Sequence, residues 1–234
     1  MKFYAALILA VGLFASRAAA QDQPDKAFLP SIQTTGEAVI QATPDRAEIE
    51  IGIVTQAETS QAAATKNAAE VEAVLSALRR QLGDRAQIKT SGYTLSPNYR
   101  YPKEGGEPTI TGYRATNSVH VTLDDLMQVG KAIDAASGAG ANRINNLRFT
   151  LKDRESVEAQ ALTEAARNAR KKAEALAAAL NLRIIRTLTV AESGSVVPVR
   201  DMAFARAEAA ATPIEPGSID VRASVTLSVQ IGPR

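Results

Sequence analysis

The chain has 234 residues, no cysteine, no tryptophan, one histidine, and 27 Lys and Arg against 25 Asp and Glu. Lack of cysteine excludes disulfide frameworks, thiolate nucleophiles, iron–sulfur clusters and cysteine-ligated zinc, and a single histidine leaves no paired-histidine metal site, so no cofactor or metal is expected. The length suffices for a sizeable core, and 45% hydrophobic with 22% charged residues is a globular composition.

Residues 1–20, MKFYAALILAVGLFASRAAA, place Lys2 before an apolar run from Phe3 to Ala15 and end in Ala18-Ala19-Ala20. This pattern predicts a cleavable secretory signal with cleavage after Ala20. The run is shorter than the ~20 residues of a spanning helix, and the small residues suit signal peptidase. Removing Lys2 and Arg17 leaves 25 basic against 25 acidic residues. A neutral exported chain offers no electrostatic case for nucleic acid or anionic membrane binding, and no later stretch approaches transmembrane length.

Residues 21–31 read as a flexible lead-in, with folding expected to begin near Ile32. RAEIEIGIV (46–54) alternates Ala47, Ile49, Ile51 and Ile53 with Glu48, Glu50 and Gly52, a strand with one wet face. Residues 59–82 change period: Ala64, Ala68, Val71, Leu75, Leu78 and Leu82 form a helical stripe, with Thr59 or Ser60 as N-cap and Gly83 as terminator. Segments 86–101 and 108–123, joined by Pro102, Gly105, Gly106 and Pro108, predict a long hairpin. Asp124 is expected to cap a helix with the stripe Leu126, Val129, Ile133 and Ala136, stopped by Gly138 and Gly140. A strand at 143–151 groups Leu147, Phe149 and Leu151. An alanine-rich helix follows at about 154–181, with Leu162, Ala165, Ala169, Ala173, Leu176 and Leu180 expected on its buried side, then a strand at 183–191 with Ile184, Leu188 and Val190 inward.

Residues 194–217 have no period and carry Pro198, Pro213 and Pro216; a loop of this length is disordered or functional, and it would line an opening or contact partners. Strict alternation from Ser218 to Ile231 then predicts a terminal strand of about 45 Å, long for a strand. About seven one-face-wet strands and three helices predict an α+β fold, a largely antiparallel sheet with helices on one face and a long protruding hairpin.

The segments TGEAVIQATPDRAEIEIGI (35–53), TSGYTLSPNYRYP (90–102), PTITGYRATNSVHVTL (108–123) and NARKKAEALAAAL (168–180), followed by the alternating terminal strand, occur in that order. Together they resemble the SIMPL-domain family of exported bacterial proteins, which includes a periplasmic immunogenic protein. The resemblance runs from about 32 to 232 and implies a single α+β domain. It also implies a periplasmic or envelope location, links to oxidative-stress tolerance and, in some members, large homo-oligomers. The family brings no agreed catalytic residues.

His120 is the sole candidate base for a hydrolase, with Ser118 and Asp124 near it in sequence. Residues two apart on a strand share a face but stand about 7 Å apart, and no G-x-S-x-G elbow is present. A histidine on the wet face of a strand is the simpler account. SGAGAN (137–142) lacks the third glycine of a dinucleotide fingerprint and follows a helix, so it reads as a helix stop. Asp124-Asp125 suit capping and the helix dipole better than metal or acid–base chemistry, and Glu48 and Glu50 read as solvated. Four of the seven aromatics outside the leader, Tyr93, Tyr99, Tyr101 and Tyr113, lie in the hairpin beside Arg100, Lys103 and Arg114. Tyr with Arg could stack on sugars or bases, but also makes cross-strand pairs and protein interfaces. We therefore take Tyr93, Tyr99, Arg100, Tyr101, Tyr113 and Arg114 as candidate interface residues. The function expected is a non-enzymatic envelope protein that self-associates through its hairpin or strand edges, with a scaffold or binding role and envelope components as further partners. A periplasmic hydrolase using His120 and a sugar- or peptidoglycan-binding module on the tyrosines are the alternatives. With only Met127 and Met202 beyond the initiator and no thiol, any part in oxidative-stress tolerance would be indirect.

Overall fold

The computed structural model describes residues 29–83, 86–103, 105–192, 199–200 and 214–234. The predicted leader, the lead-in up to residue 28 and most of the 194–217 segment lie outside them. The elements are β1 (Ser31–Ala42), β2 (Arg46–Ala57), α1 (Ser60–Leu82), β3 (Gln87–Arg100), β4 (Thr109–Leu123), α2 (Val129–Gly138), β5 (Arg143–Thr150), α3 (Arg154–Ala179), β6 (Leu182–Glu192), the two-residue β7 (Val199–Arg200) and β8 (Ile219–Pro233). A 3-10 turn, Leu126–Gln128, leads into α2.

The fold is α+β with antiparallel pairing throughout, as the patterns predict. The strands divide into two sheets where one was expected. β1, β8 and β6 form the first in that order, with β7 also on β8, and β3, β4, β2 and β5 form the second. The two halves repeat one construction. The strand after α1 or α3, β3 or β6, runs along one edge, and β4 or β8 inserts between that edge and an earlier strand. Sequence separation hides this division, because β1 pairs with β8 from Ser31↔Gln230 to Ala42↔Ile219 across almost the whole chain.

Periodicity fixes the core of the second sheet. Ile49, Ile51, Ile53, Val119 and Val121 are fully buried beneath α1 and α2, each worth roughly 1.5–3 kcal/mol of burial. Thr59 caps α1, accepting from the Ala62 amide at 3.2 Å. The buried positions of α1 begin one residue earlier than expected, at Ala63 and Asn67, before meeting the predicted Leu78 and Leu82. The shift follows from polar anchoring: Asn67 Nδ2 donates to the carbonyls of Ile53 and Ala115 at 3.0 and 3.4 Å, and Thr55 Oγ1 donates to Ala63 O at 2.9 Å.

The first sheet is built around close approach. α3 buries an alanine row, Ala161, Ala165, Ala169, Ala173 and Ala177, whereas Leu176 and Leu180, expected inward, are exposed. Gly36 on β1 explains the choice: a Cβ there would sit 2.1 Å from Ala165 O and 2.2 Å from Ala169 N. Helix backbone rests on strand backbone, and only alanine fits beside such a contact. Thr34 Oγ1 donates to Ala169 O at 2.8 Å. Strand β8 also does not project as its length suggests. It is flanked by β1 on one side and by β6 and β7 on the other, and α3, about 39 Å long at 1.5 Å per residue, packs along it. On β6, extra residues at Ile185 and Leu188 shift the pairing twice, which leaves Val190 opposite the buried Leu227 on the α3 side of the sheet; it is nevertheless exposed, where the alternation pointed it inward.

Replacing Gly36 with alanine is expected to destabilise the fold by about 2 kcal/mol or more, the range for overpacking against atoms that cannot move aside. Urea unfolding measures it, with Gly92→Ala as the control, since nothing lies within 4 Å of the Gly92 Cβ position.

Candidate functional site

Hairpin β3–β4 leaves the second sheet where β2 ends. Tyr113 pairs with Ala57, the last residue of β2, and with Pro97; beyond this level only Asn98↔Gly112, Tyr99↔Ile110 and Arg100↔Thr109 continue. Gly112 marks the exit. Its φ is +151°, and a Cβ there would lie 2.8 Å from Ala57 O.

Directly paired residues share a face in an antiparallel sheet. Tyr93, Leu95, Pro97 and Tyr99 on β3, with Ile110 and Tyr113 on β4, therefore all lie on the side of the sheet that carries α1. Tyr93 is 53% exposed, Leu95 40%, Tyr99 50% and Ile110 51%, because α1 covers β2, β4 and the start of β3 at Ile88 and leaves the rest of β3 and the outer part of the hairpin bare. No charged residue belongs to this face. Thr94, Ser96, Asn98, Arg100 and Arg114 occupy the other, where Asn98 Nδ2 donates to Gln56 Oε1 at 3.2 Å.

The structure thus gathers Tyr93, Tyr99 and Tyr113 on one face and places Arg100 and Arg114 on the opposite one. Tyr101, just past the strand, packs on Tyr99 with ring centroids 6.4 Å apart and a 47° tilt. Cross-strand aromatic pairing, one expectation for this hairpin, does not occur: Tyr93 faces Asn117, Tyr99 faces Ile110 and Tyr113 faces Pro97. Leu95, Pro97 and Ile110 were not singled out from the sequence. Position parity along 93, 95, 97 and 99 was the available signal, and tyrosine and arginine composition obscured it.

The candidate triad is not assembled. His120 is half-buried on the solvent face of the second sheet, opposite Glu50 and Lys89. Asp124 is engaged elsewhere, accepting from Arg46 Nε and paired with Lys152 Nζ, both at 2.8 Å. The cap of the following turn is Asp125, not Asp124 as expected; its side chain accepts from the Met127 amide at 3.0 Å. Asp124 is instead the hub of a junction, completed by Asp45, whose side chain accepts from the Lys152 amide at 2.7 Å. The SGAGAN segment stops α2, and its Asn142 amide then bonds both the N–H and C=O of Val54, at 3.0 and 2.7 Å. Among the described residues there is no cluster of three or more His, Asp or Glu suited to a metal ion, and no helix long and apolar enough to cross a membrane.

Comparison with known proteins gives the chain its family. Residues 32–229 match the SIMPL family model, described as a protein of unknown function (DUF541). The chain belongs to the SIMPL family. It is 31% identical over 188 residues to the 26 kDa periplasmic immunogenic protein of Brucella melitensis, covering 79% of this chain and 75% of that one. To the uncharacterized protein YggE of Escherichia coli K12 it is 29% identical over 178 residues, covering 76% and 70%. Among the described residues the hairpin presents an apolar sheet face that no other element covers, and Asp124 is held by Arg46 and Lys152, not by His120.

The Asp124 junction has a pH signature. The hydrogen bond from Arg46, then that from Lys152, hold its carboxyl down at about 2, below its ordinary 3.8. Because the folded value is the lower one, the stabilisation is present above pH 3.8 and is lost as pH falls through about 2. Asp124→Asn should flatten the acid limb of stability between those values, read by thermal melts across that range.

Proposed function

We propose that this SIMPL protein is exported through its N-terminal signal to the periplasm or envelope, where it self-associates as a non-enzymatic scaffold or binding protein. One observation carries this reading: an uncharged apolar and aromatic hairpin face that no element of the described chain covers. Contiguous exposed apolar surface of this kind marks a contact site, and tyrosines are enriched at the centres of protein interfaces. The name of the Brucella relative supports the compartment. A neutral mature chain leaves nucleic acid without an electrostatic footing.

The face of the hairpin suits association better than its edge does. Pro97 has no N–H to offer an added strand, and β3 carries an extra residue at Ser91. The 47° tilt between Tyr99 and Tyr101 leaves no flat two-ring platform, which favours a shaped protein surface over a sugar. With no thiol in the chain, a contribution to oxidative-stress tolerance acts through assembly or partners, not through redox chemistry of its own.

Sedimentation velocity on the mature protein at micromolar concentration should show a species heavier than the monomer. Replacing Leu95 and Tyr99 together with serine, at about 2 kcal/mol per central contact, should weaken association about a thousandfold. Its circular dichroism and melting point should stay near wild type, since both side chains are substantially exposed. A wild-type chain that sediments as a strict monomer overturns the reading.

A further inference from the structure

The geometry points to a specific contact: two copies pair their hairpin faces about a two-fold axis with tips in opposite directions, so that Tyr99 and Ile110 of one copy lie over Tyr93 and Leu95 of the other. This rests on the self-association proposed above and specifies its surface and symmetry.

Area comes first. The exposed parts of Tyr93, Leu95, Tyr99, Tyr101 and Ile110 amount to roughly 500 Å². A stable interface takes about 800 Å² per partner, apolar at its centre and polar at its rim. The hairpin face supplies that centre, with Ser96, Asn98 and Arg100 of the opposite face near its margins.

The partner follows by comparing surfaces. A flat apolar sheet face packs best on another, about 10 Å away. The solvent face of the second sheet carries Glu48, Glu50 and His120, and that of the first carries Arg222, Ser224 and Thr226. The remaining apolar pair on one helix, Leu176 and Leu180, continues the row of Lys172, whose Nζ is committed to Thr35 O at 2.7 Å. Other exposed large apolar side chains, Val39, Met127, Ile144, Ile185 and Val190, are spread over four further elements; among the described residues the hairpin holds the largest such group, and the surface of like character for it to meet is the same face on a second copy, which makes the contact isologous.

The direction follows from α1. It stands on the same side of the sheet, beginning at Ser60 beside the level of Ala57 and Tyr113. Two hairpins packed face to face with tips aligned would bring two α1 helices into the same space. With tips opposed, each tip runs alongside the partner's α1, over Tyr93 and Leu95. The axis then passes near Pro97 and Tyr113.

The absence of native cysteine makes this measurable. Leu95 and Tyr99 are four residues apart, about 13 Å along a strand. In the opposed pairing, Leu95 of one copy faces Tyr99 of the other across about 10 Å, while each residue is displaced about 13 Å along the strand from its own counterpart. Leu95→Cys and Tyr99→Cys chains, unfolded and refolded together, are treated with a bis-maleimide of about 10 Å reach, matching that sheet separation. The expected result is covalent dimers in the mixture, several-fold more than with either variant alone, and none with Thr94→Cys on the opposite face. Efficient linkage of each variant to itself, without gain on mixing, overturns the opposed pairing in favour of aligned tips. No linkage in any sample, with both variants still assembled by sedimentation, overturns hairpin pairing and leaves self-association standing. A monomeric wild-type chain overturns both.

Discussion

Backbone contact between α3 and β1 at Gly36 is the constraint from which the first half of the molecule follows. With no side chain between Gly36 and the main chain at Ala165 and Ala169, the helix must present a row of alanines, and the leucines of the same helix are displaced to its flank. The closeness also brings Asn168 and Lys172 within reach of β1, where they donate to Glu37 O at 3.0 Å and Thr35 O at 2.7 Å. A single missing methyl group thus sets the helix sequence, fastens the first strand and satisfies part of its free edge. Because β1 pairs along its entire length with β8, the chain's first and last strands become neighbours, and residues 46–150 form the second sheet between them.

This arrangement explains what periodic reading recovers and what it does not. β2, α1, the hairpin and β8 follow their hydrophobic period, because burial on one face is what forms them. The pattern marks β1 only as the start of folding, since its inner positions are Ile32, Thr34, Gly36, Ala38 and Ile40. Threonine and glycine interrupt the apolar alternation for the reason that makes the strand work, room for the helix and a hydrogen bond to it. The exposed Leu176 and Leu180 mislead for the complementary reason: where backbones touch, small side chains pack better than large ones. Whether the strands form one sheet or two depends on pairings across almost 200 residues, and local pattern carries no such information. Asp124 and Asp125 show the same limit at short range. Either could cap a turn, and only the arrival of Arg46 from β2 and of Lys152 from the turn after β5 assigns the first to an ion-pair hub.

The candidate surface was half legible. Concentration of tyrosine in one hairpin is visible from composition, but the arginines beside it in sequence belong to the other face. Parity along the strand separates Tyr93, Leu95, Pro97 and Tyr99 from Thr94, Ser96, Asn98 and Arg100 without any structure. Exposure is the part that needs coordinates. An apolar strand face normally implies a covering layer within the chain, and here α1 covers the neighbouring strands and leaves this one open.

Across the molecule, the open strand edges are handled separately from this open face. Side chains of α3 bond β1, the Asn142 amide completes the edge of β2 beyond β5, bulges shift the pairing of β6, and Pro97 removes a donor from β3. Each device obstructs the non-specific route to association, in which any strand adds to any other through main-chain groups. What remains available is a surface whose energy lies in side chains and whose fit depends on their shape. Main-chain pairing tolerates almost any partner, whereas packing of Tyr93, Leu95, Tyr99 and Ile110 discriminates by volume and contour. A chain that blocks its edges while keeping an apolar face open is built to associate selectively, and at that face the hairpin carries no charge that a partner would have to neutralise.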